Sequence, residues 1–385
     1  MKAGWQVKPL AAISKLFADG DWIESKDQSA DGVRLVQTGN VGEGFFKDRG
    51  EKARYISKET FVRLRCTEIF EGDCLISRLP DPVGRSCLLP DTGERMITAV
   101  DCTIVRFDSS QFLPDLFVYY TQSSDYLNNV DKETSGTTRK RISRSKLGEI
   151  SIPVPPIEQQ QRIVAILDQA FEGIAKARAN AEQNLQNARA LFESHLQSVF
   201  QNKSWIRTSV EEACTEIFAG GDAPKEKFSL KKNEEFTIPI FANAIKDNGL
   251  YGYTNFARVT KPSVTISARG SGTGHTEIRF ESFLPIVRLI VLIPNSSLIN
   301  LEFLKYSIDN LEILRSGSAI PQLTVPMIKE YHIPLPTLPE QLEIISQLEI
   351  LFAETQRLEA LYQRKIACLD ELKKSLLQQA FAGEL

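Results

Sequence analysis

Five basic side chains, Arg139, Lys140, Arg141, Arg144 and Lys146, fall within eight residues that hold no acid. Hydroxyl residues lie among and just before them (Thr137, Thr138, Ser143, Ser145). Guanidinium, ammonium and hydroxyl groups are the usual partners of phosphate oxygens, so this segment is a candidate for holding a nucleic-acid backbone. Two further pairs could read base edges. Arg78 and Arg85 sit in a loop that follows Ile76-Ser77 and passes Gly84, and Arg269 and His275 sit in one that follows Ile266-Ser267 and passes Gly274. An arginine presents paired N–H groups that match the O6 and N7 acceptors of guanine. Asn40 in the glycine-rich stretch 39–44, with Asn243 and Gly272 in the second half, completes the candidate DNA-contacting set.

Catalytic patterns are missing from the sequence. No Gly-Lys dipeptide occurs, which excludes a P-loop with its phosphate-reaching lysine. Gly39, Gly42 and Gly44 lack the dinucleotide-binding spacing, and Gly270, Gly272 and Gly274 have no helix predicted after them. There is no G-x-S-x-G elbow, no H-E-x-x-H, and no Asn/Asp-Pro-Pro-aromatic motif for holding an amino group. The six cysteines form no C-x-x-C pair and only His195, His275 and His332 could join them, so no metal site is read. The chain reads as non-catalytic, with no cofactor of its own.

The elements that must position these residues follow from length and repetition. At 385 residues the chain has room for two to three domains, taking about 100–200 residues each. Its 46 Lys+Arg against 49 Asp+Glu give a formal charge of -3. That balance argues against a lone DNA binder and suits a subunit that shares DNA with basic partners. No apolar run approaches the ~18–20 residues of a membrane span, and the first residues hold no signal-peptide core. The expected location is the cytoplasm, with no membrane contact.

An internal repeat organises everything else. Ser135-Gly136 matches Ser316-Gly317 and Ile152-Pro153-Val154-Pro155 matches Ile333-Pro334-Leu335-Pro336, both offset by 181 residues. The same offset joins Gln160 to Gln341, Leu167 to Leu348, Leu191 to Leu372 and Phe200 to Phe381. A weaker correspondence pairs Trp5 with Trp205 and residues 17–21 with 218–222. The order is a variable unit, a helix, a second variable unit and a second helix. After Pro156 and Pro339 each helix runs without proline. Apolar residues then recur in steps of three and four: Ile163, Leu167, Ala170, Ile174, Ala177, Ala181, Leu185, Ala188, Phe192, Leu196 in one, and Ile344, Leu348, Leu351, Thr355, Leu358, Tyr362, Lys365, Leu369, Leu372, Leu376 in the other. Left alone, the second would expose a leucine seam. Burying each leucine is worth ~1.5–3 kcal/mol, so the helices are expected to pair antiparallel.

The variable units read as strand-dominated. Residues 34–37, 101–107 and 288–293 are rich in β-branched and apolar residues, and short helices are expected at 9–17, 113–127 and 300–315. The fold class is α+β: two mixed, strand-rich domains separated by two long helices in an antiparallel coiled coil, with a pseudo-two-fold internal repeat. The expected boundaries are 1–153, 154–203, 204–335 and 336–385.

This order, with Ile-Pro-Val-Pro-Pro-Ile-Glu-Gln-Gln-Gln and Ile-Pro-Leu-Pro-Thr-Leu-Pro-Glu-Gln leading into the helices, resembles the specificity (S) subunit of type I restriction–modification systems. Residues 75–85 and 264–272 resemble that family's target recognition domains. The resemblance implies two domains that each read half of a split, asymmetric duplex DNA target. It implies that the helices act as a ruler and dock two adenine-N6 methyltransferase subunits, joined by motor–nuclease subunits for restriction. S-adenosylmethionine, ATP and Mg would then belong to those partners. Substituting Arg78 and Arg85 is expected to relax only the half-site read by the first domain. The competing reading is a protein-interaction scaffold without DNA.

Overall fold

A computed structural model describes residues 4–136, 139–201, 204–311 and 322–385. Thr137, Thr138, Ser316, Gly317 and the end of the expected helix 300–315 lie outside the described residues. The chain forms two compact units, Met1–Ala181 with Arg364–Leu385, and Glu182–Gln363. The division cuts through both long helices, Ile157–Phe200 and Leu338–Ala382, because each unit packs its own part of the helix pair against its sheets.

In the first unit a four-stranded sheet has the order Ser14–Asp19, Cys102–Phe107, Cys74–Ser77, Ser86–Leu88. The second unit repeats it with Cys214–Ala219, Ile290–Pro294, Ser263–Ile266 and Thr276–Arg279. Each unit adds a second mixed sheet, of five short strands in the first unit and four in the second, and a two-stranded ribbon, Gln6–Pro9 with Ser151–Val154 and Arg207–Ser209 with His332–Pro334. The central strands are buried on both faces, and alternate residues serve different cores. Cys74, Ile76 and Val105 join the helices, while Leu75, Cys102 and Ile104 face the second sheet with Val36 and Met96. Val264, Ile266 and Leu292 do the same on the helix side of the second unit, and Val291 and Ile293 on the other.

Both long helices are anchored by one repeated device. Gln160, fully buried, accepts from the Leu113 amide at 2.8 Å and donates to the carbonyls of Gln111 and Pro155. Gln341 accepts from the Asn300 amide at 2.8 Å and donates to Leu298 and Pro336. The helices run antiparallel within each unit. Phe171 lies under Lys373 and Arg178 pairs with Asp370 in the first, and Arg189 pairs with Glu359 and Phe192 with Phe352 in the second.

Of the expected seam, Ile163, Leu167, Leu348 and Ala181 are buried, and Ile174, Leu185, Leu196, Ile344, Leu351, Leu358, Leu369 and Leu376 are half-buried. Leu372 is 47% exposed and is not a seam residue, and Lys365 is exposed too. Beyond Tyr362 the inward positions become Ile366, Leu369, Lys373, Leu376, Leu377 and Ala380. A straight helix drifts by ~20° per heptad against a strict 3.5 repeat, and here the drift is absorbed by one extra step of four.

Three local expectations change. Residues 9–17 form a 3-10 turn, Leu10–Ile13, and a strand, because Ser14–Asp19 pairs with Cys102–Phe107. Residues 113–127 hold two helices, Pro114–Tyr120 and Ser124–Glu133, with Ser123 capping the second through the Tyr126 amide. The match of 17–21 with 218–222 slips by one. Asp19 lies opposite Thr103 and Ala219 opposite Ile290, while both Thr103 and Ile290 also lie opposite the equivalent Ile76 and Ile266. Asp19 therefore corresponds to Ala219, and a one-residue slip exchanges the faces of a strand.

Candidate nucleic-acid interface

In the first unit, backbone turns set the positions of the candidate residues. Asn40 is buried, accepts from the Gln37 amide at 3.0 Å and donates to the Lys47 carbonyl at 2.9 Å, which closes the 37–47 loop. Arg85 is 8% exposed, and its guanidinium donates to five carbonyls: Thr38, Val41, Leu79, Pro80 and Pro82. It ties the loop at 38–41 to that at 79–82. Arg78 is 4% exposed, donates to the Val100 carbonyl and lies 3.2 Å from Asp19, with Nε unpartnered. Burial pulls both guanidinium groups below their usual range. Neither presents the free N–H pair that reading guanine requires. Arg85, expected at a base edge, is occupied in holding two loops, and Arg78, expected beside it, is enclosed against Val100 and Asp19.

The basic row behaves differently. Arg139, Lys140, Arg141, Arg144 and Lys146 are all exposed. Ser143 caps the short helix Arg144–Glu149, which turns the row toward solvent. The tertiary fold brings carboxylates to it that the local sequence lacks. Lys140 pairs with Asp131 at 2.7 Å, Arg141 with Asp101 at 2.9 Å, Lys146 with Glu133 at 3.0 Å and Arg144 with Asp19 at 3.9 Å. Arg139 has no ion pair among the described residues. Phe17, Asp19, Arg78, Ser143, Arg144 and Ser145 line an open cleft of about 840 Å³ beside the row.

The second unit presents its arginine outward. Arg269 is exposed, on a loop where Gly270 and Gly274 have positive φ. Asn243 clamps that loop by accepting from the Ala268 and Arg269 amides and donating to the Arg269 carbonyl at 2.9 Å. A Cβ at Gly272 would come within 2.8 Å of the exposed Ile245 side chain, which would have to shift to admit it. His275 occupies the place of Arg85, since Ser77 and Ser267 donate to their respective carbonyls, and its Nε2 lies 3.0 Å from Glu277. The structure thus brings Asn243, Arg269 and Gly272 together as one unit. It adds Arg288, exposed in a left-handed turn with Val287, where the sequence pattern predicts a strand. Only the strand register, which sets Arg288 at the position of Asp101, makes it visible.

Residues 2–183 and 208–366 match the family described as the type I restriction modification DNA specificity domain, once in each half of the chain. The chain belongs to that family. A type I specificity subunit from Mycoplasma pneumoniae is 30% identical over 269 residues, spanning 66% of this chain and 77% of its own length. The specificity subunit of the type I restriction enzyme EcoKI from Escherichia coli is 23% identical, spanning 99% of this chain and 89% of its own. Among solved structures, a chain from a type I R-M system matches with a TM-score of 0.82 at 20% identity, covering 100% of this chain and 99% of that one. The HsdS subunit from Thermoanaerobacter tengcongensis matches at 0.66 and 18% identity, covering 100% and 98%. These likenesses place the α+β fold, with its doubled strand-rich unit and long helices, in the specificity-subunit group. No helix among the described residues is long and apolar enough to cross a membrane.

Proposed function

We infer that this chain is the DNA-specificity subunit of a type I restriction–modification complex. Each strand-rich unit reads one half of a split, asymmetric duplex target, and the helix pair docks two methyltransferase subunits, with motor–nuclease subunits completing the restriction complex. The observation that carries this reading is the duplication. One sheet order recurs in both units while the loop residues at equivalent places differ, as Arg85 and His275 do. In this reading the first unit holds the backbone through residues 139–146, and the second contacts base edges through Arg269. The chain supplies no chemistry of its own. S-adenosylmethionine, ATP and Mg act in the partner subunits.

Methylation-site sequencing of a host that carries this chain and its methyltransferase partner tests the reading. A two-part, non-palindromic methylated sequence that changes when residues 1–153 are exchanged for those of a relative is the expected result. Methylation that is unaffected by the exchange would overturn it.

A further inference from the structure

The carboxylates paired with the basic row come from three separate stretches of the first unit. Asp19 ends a strand, Asp101 precedes another, and Asp131 and Glu133 lie on the helix Ser124–Glu133. We propose that these four carboxylates are specificity determinants: they act as built-in counter-ions that hold down the affinity of the row for duplex DNA of arbitrary sequence. The proposal rests on the reading of the chain as a DNA-specificity subunit.

The internal repeat supplies the comparison. Ile142 and Leu323 donate to the carbonyls of Arg78 and Ala268, so these positions are equivalent. Around them Arg141, Arg144 and Lys146 correspond to Gln322, Val325 and Met327. The strand register sets Ala219 at the place of Asp19 and Arg288 at that of Asp101. Two of the four carboxylates are therefore replaced along with these cations. Yet Gly20 and Gly220 still donate to the carbonyls of Cys102 and Leu289, so the backbone there does not require the acids. Asp19 and Asp101 serve the cations rather than the sheet.

The physical effect follows from how duplex DNA is bound. Affinity for arbitrary sequence comes from cations replacing condensed counter-ions on phosphate, whereas base contacts do not depend on that exchange. A cation already paired with a carboxylate gains less at a phosphate. The cations of these pairs are exposed and the carboxylates of Asp19 and Asp101 half-buried, and ion pairs that reach solvent in this way are weak enough to be exchanged once bases have fixed the register. Arg139, without an ion pair among the described residues, is left to make the first contact.

The test uses the full chain assembled with its methyltransferase partner, a labelled duplex of scrambled sequence and the methylated target. Asp101→Asn and the double variant Asp131→Asn/Glu133→Gln leave the buried Arg78–Asp19 pair in place. Each lost acid is expected to raise scrambled-duplex affinity about 1.5- to 5-fold. It should also steepen the salt dependence by roughly one counter-ion per freed cation, with an unchanged melting temperature. Target affinity should rise less, so discrimination falls, and adding Arg141→Gln to Asp101→Asn should reverse the change. Wild-type protein that binds duplex with variants no tighter would overturn the counter-ion role and leave the DNA reading standing. No duplex binding by wild type or variants, even at low salt, would overturn both.

Discussion

Replacing Arg85 with alanine should unfold loops rather than relax base recognition. The wild-type guanidinium binds five carbonyls while 8% exposed. Three of these have another donor: Thr38 accepts from the Val41 amide, Leu79 from the Ser77 hydroxyl and Pro82 from the Arg85 amide. The carbonyls of Val41 and Pro80 depend on the side chain. Orphaning a buried carbonyl costs about 1–3 kcal/mol, and breaking a buried charged network typically costs ~3–5 kcal/mol. The variant should therefore lose about 3–5 kcal/mol from the first unit, a large share of a ~5–15 kcal/mol domain. Urea denaturation of wild type and Arg85→Ala, combined with amide exchange of residues 38–47 and 79–86, measures this. Arg85→Lys should recover little, because one ammonium cannot span two loops. A variant that unfolds within ~0.5 kcal/mol of wild type but loses preference at one base of one half-site would refute the argument and return Arg85 to the DNA.

Removing either helix anchor, with Gln160→Leu or Gln341→Leu, should cost about 2–4 kcal/mol from the buried amide and carbonyls it leaves unpaired, read as a shift in denaturation midpoint of the corresponding unit. Burial pushes Asp21 up to about 6, against the pull of the Thr67 amide. Because its folded value lies above its unfolded one, its contribution is full below about pH 3.8 and is lost as pH rises through 6, so wild type minus Asp21→Asn stability should fall over that window in pH-dependent urea melts. Arg269→Ala should relax one position of one half-site by about 1–3 kcal/mol, and Asn243→Ala should weaken the same position without touching the other half, both by competition binding on singly mutated duplexes. Arg139→Ala should weaken all sequences alike and lower the salt slope by roughly one.

The sequence alone determined the features that depend on periodicity and local backbone chemistry. The 181-residue offset, the prolines before each helix and the spacing of Ile163, Leu167, Ile344 and Leu348 were enough to specify two long helices, each following a strand-rich unit. Gln160 and Gln341 were visible as a matched pair, though their role as anchors was not, since Gln111 and Leu298 approach only in the fold. Tertiary structure decided which charges face water. Arg85 and Arg269 look alike as loop arginines, yet one is enclosed by carbonyls from two loops and the other stands on a glycine turn held by Asn243. Residues 139–146 hold no acid in sequence, and acquire four ion-pair partners from three stretches, one of them 125 positions away, only because the fold brings those stretches beside them. Hydrophobic periodicity fixes which face of an element turns inward. The partner of a given polar group depends on where distant segments meet, and a single residue of strand register, as between Asp19 and Ala219, changes the answer.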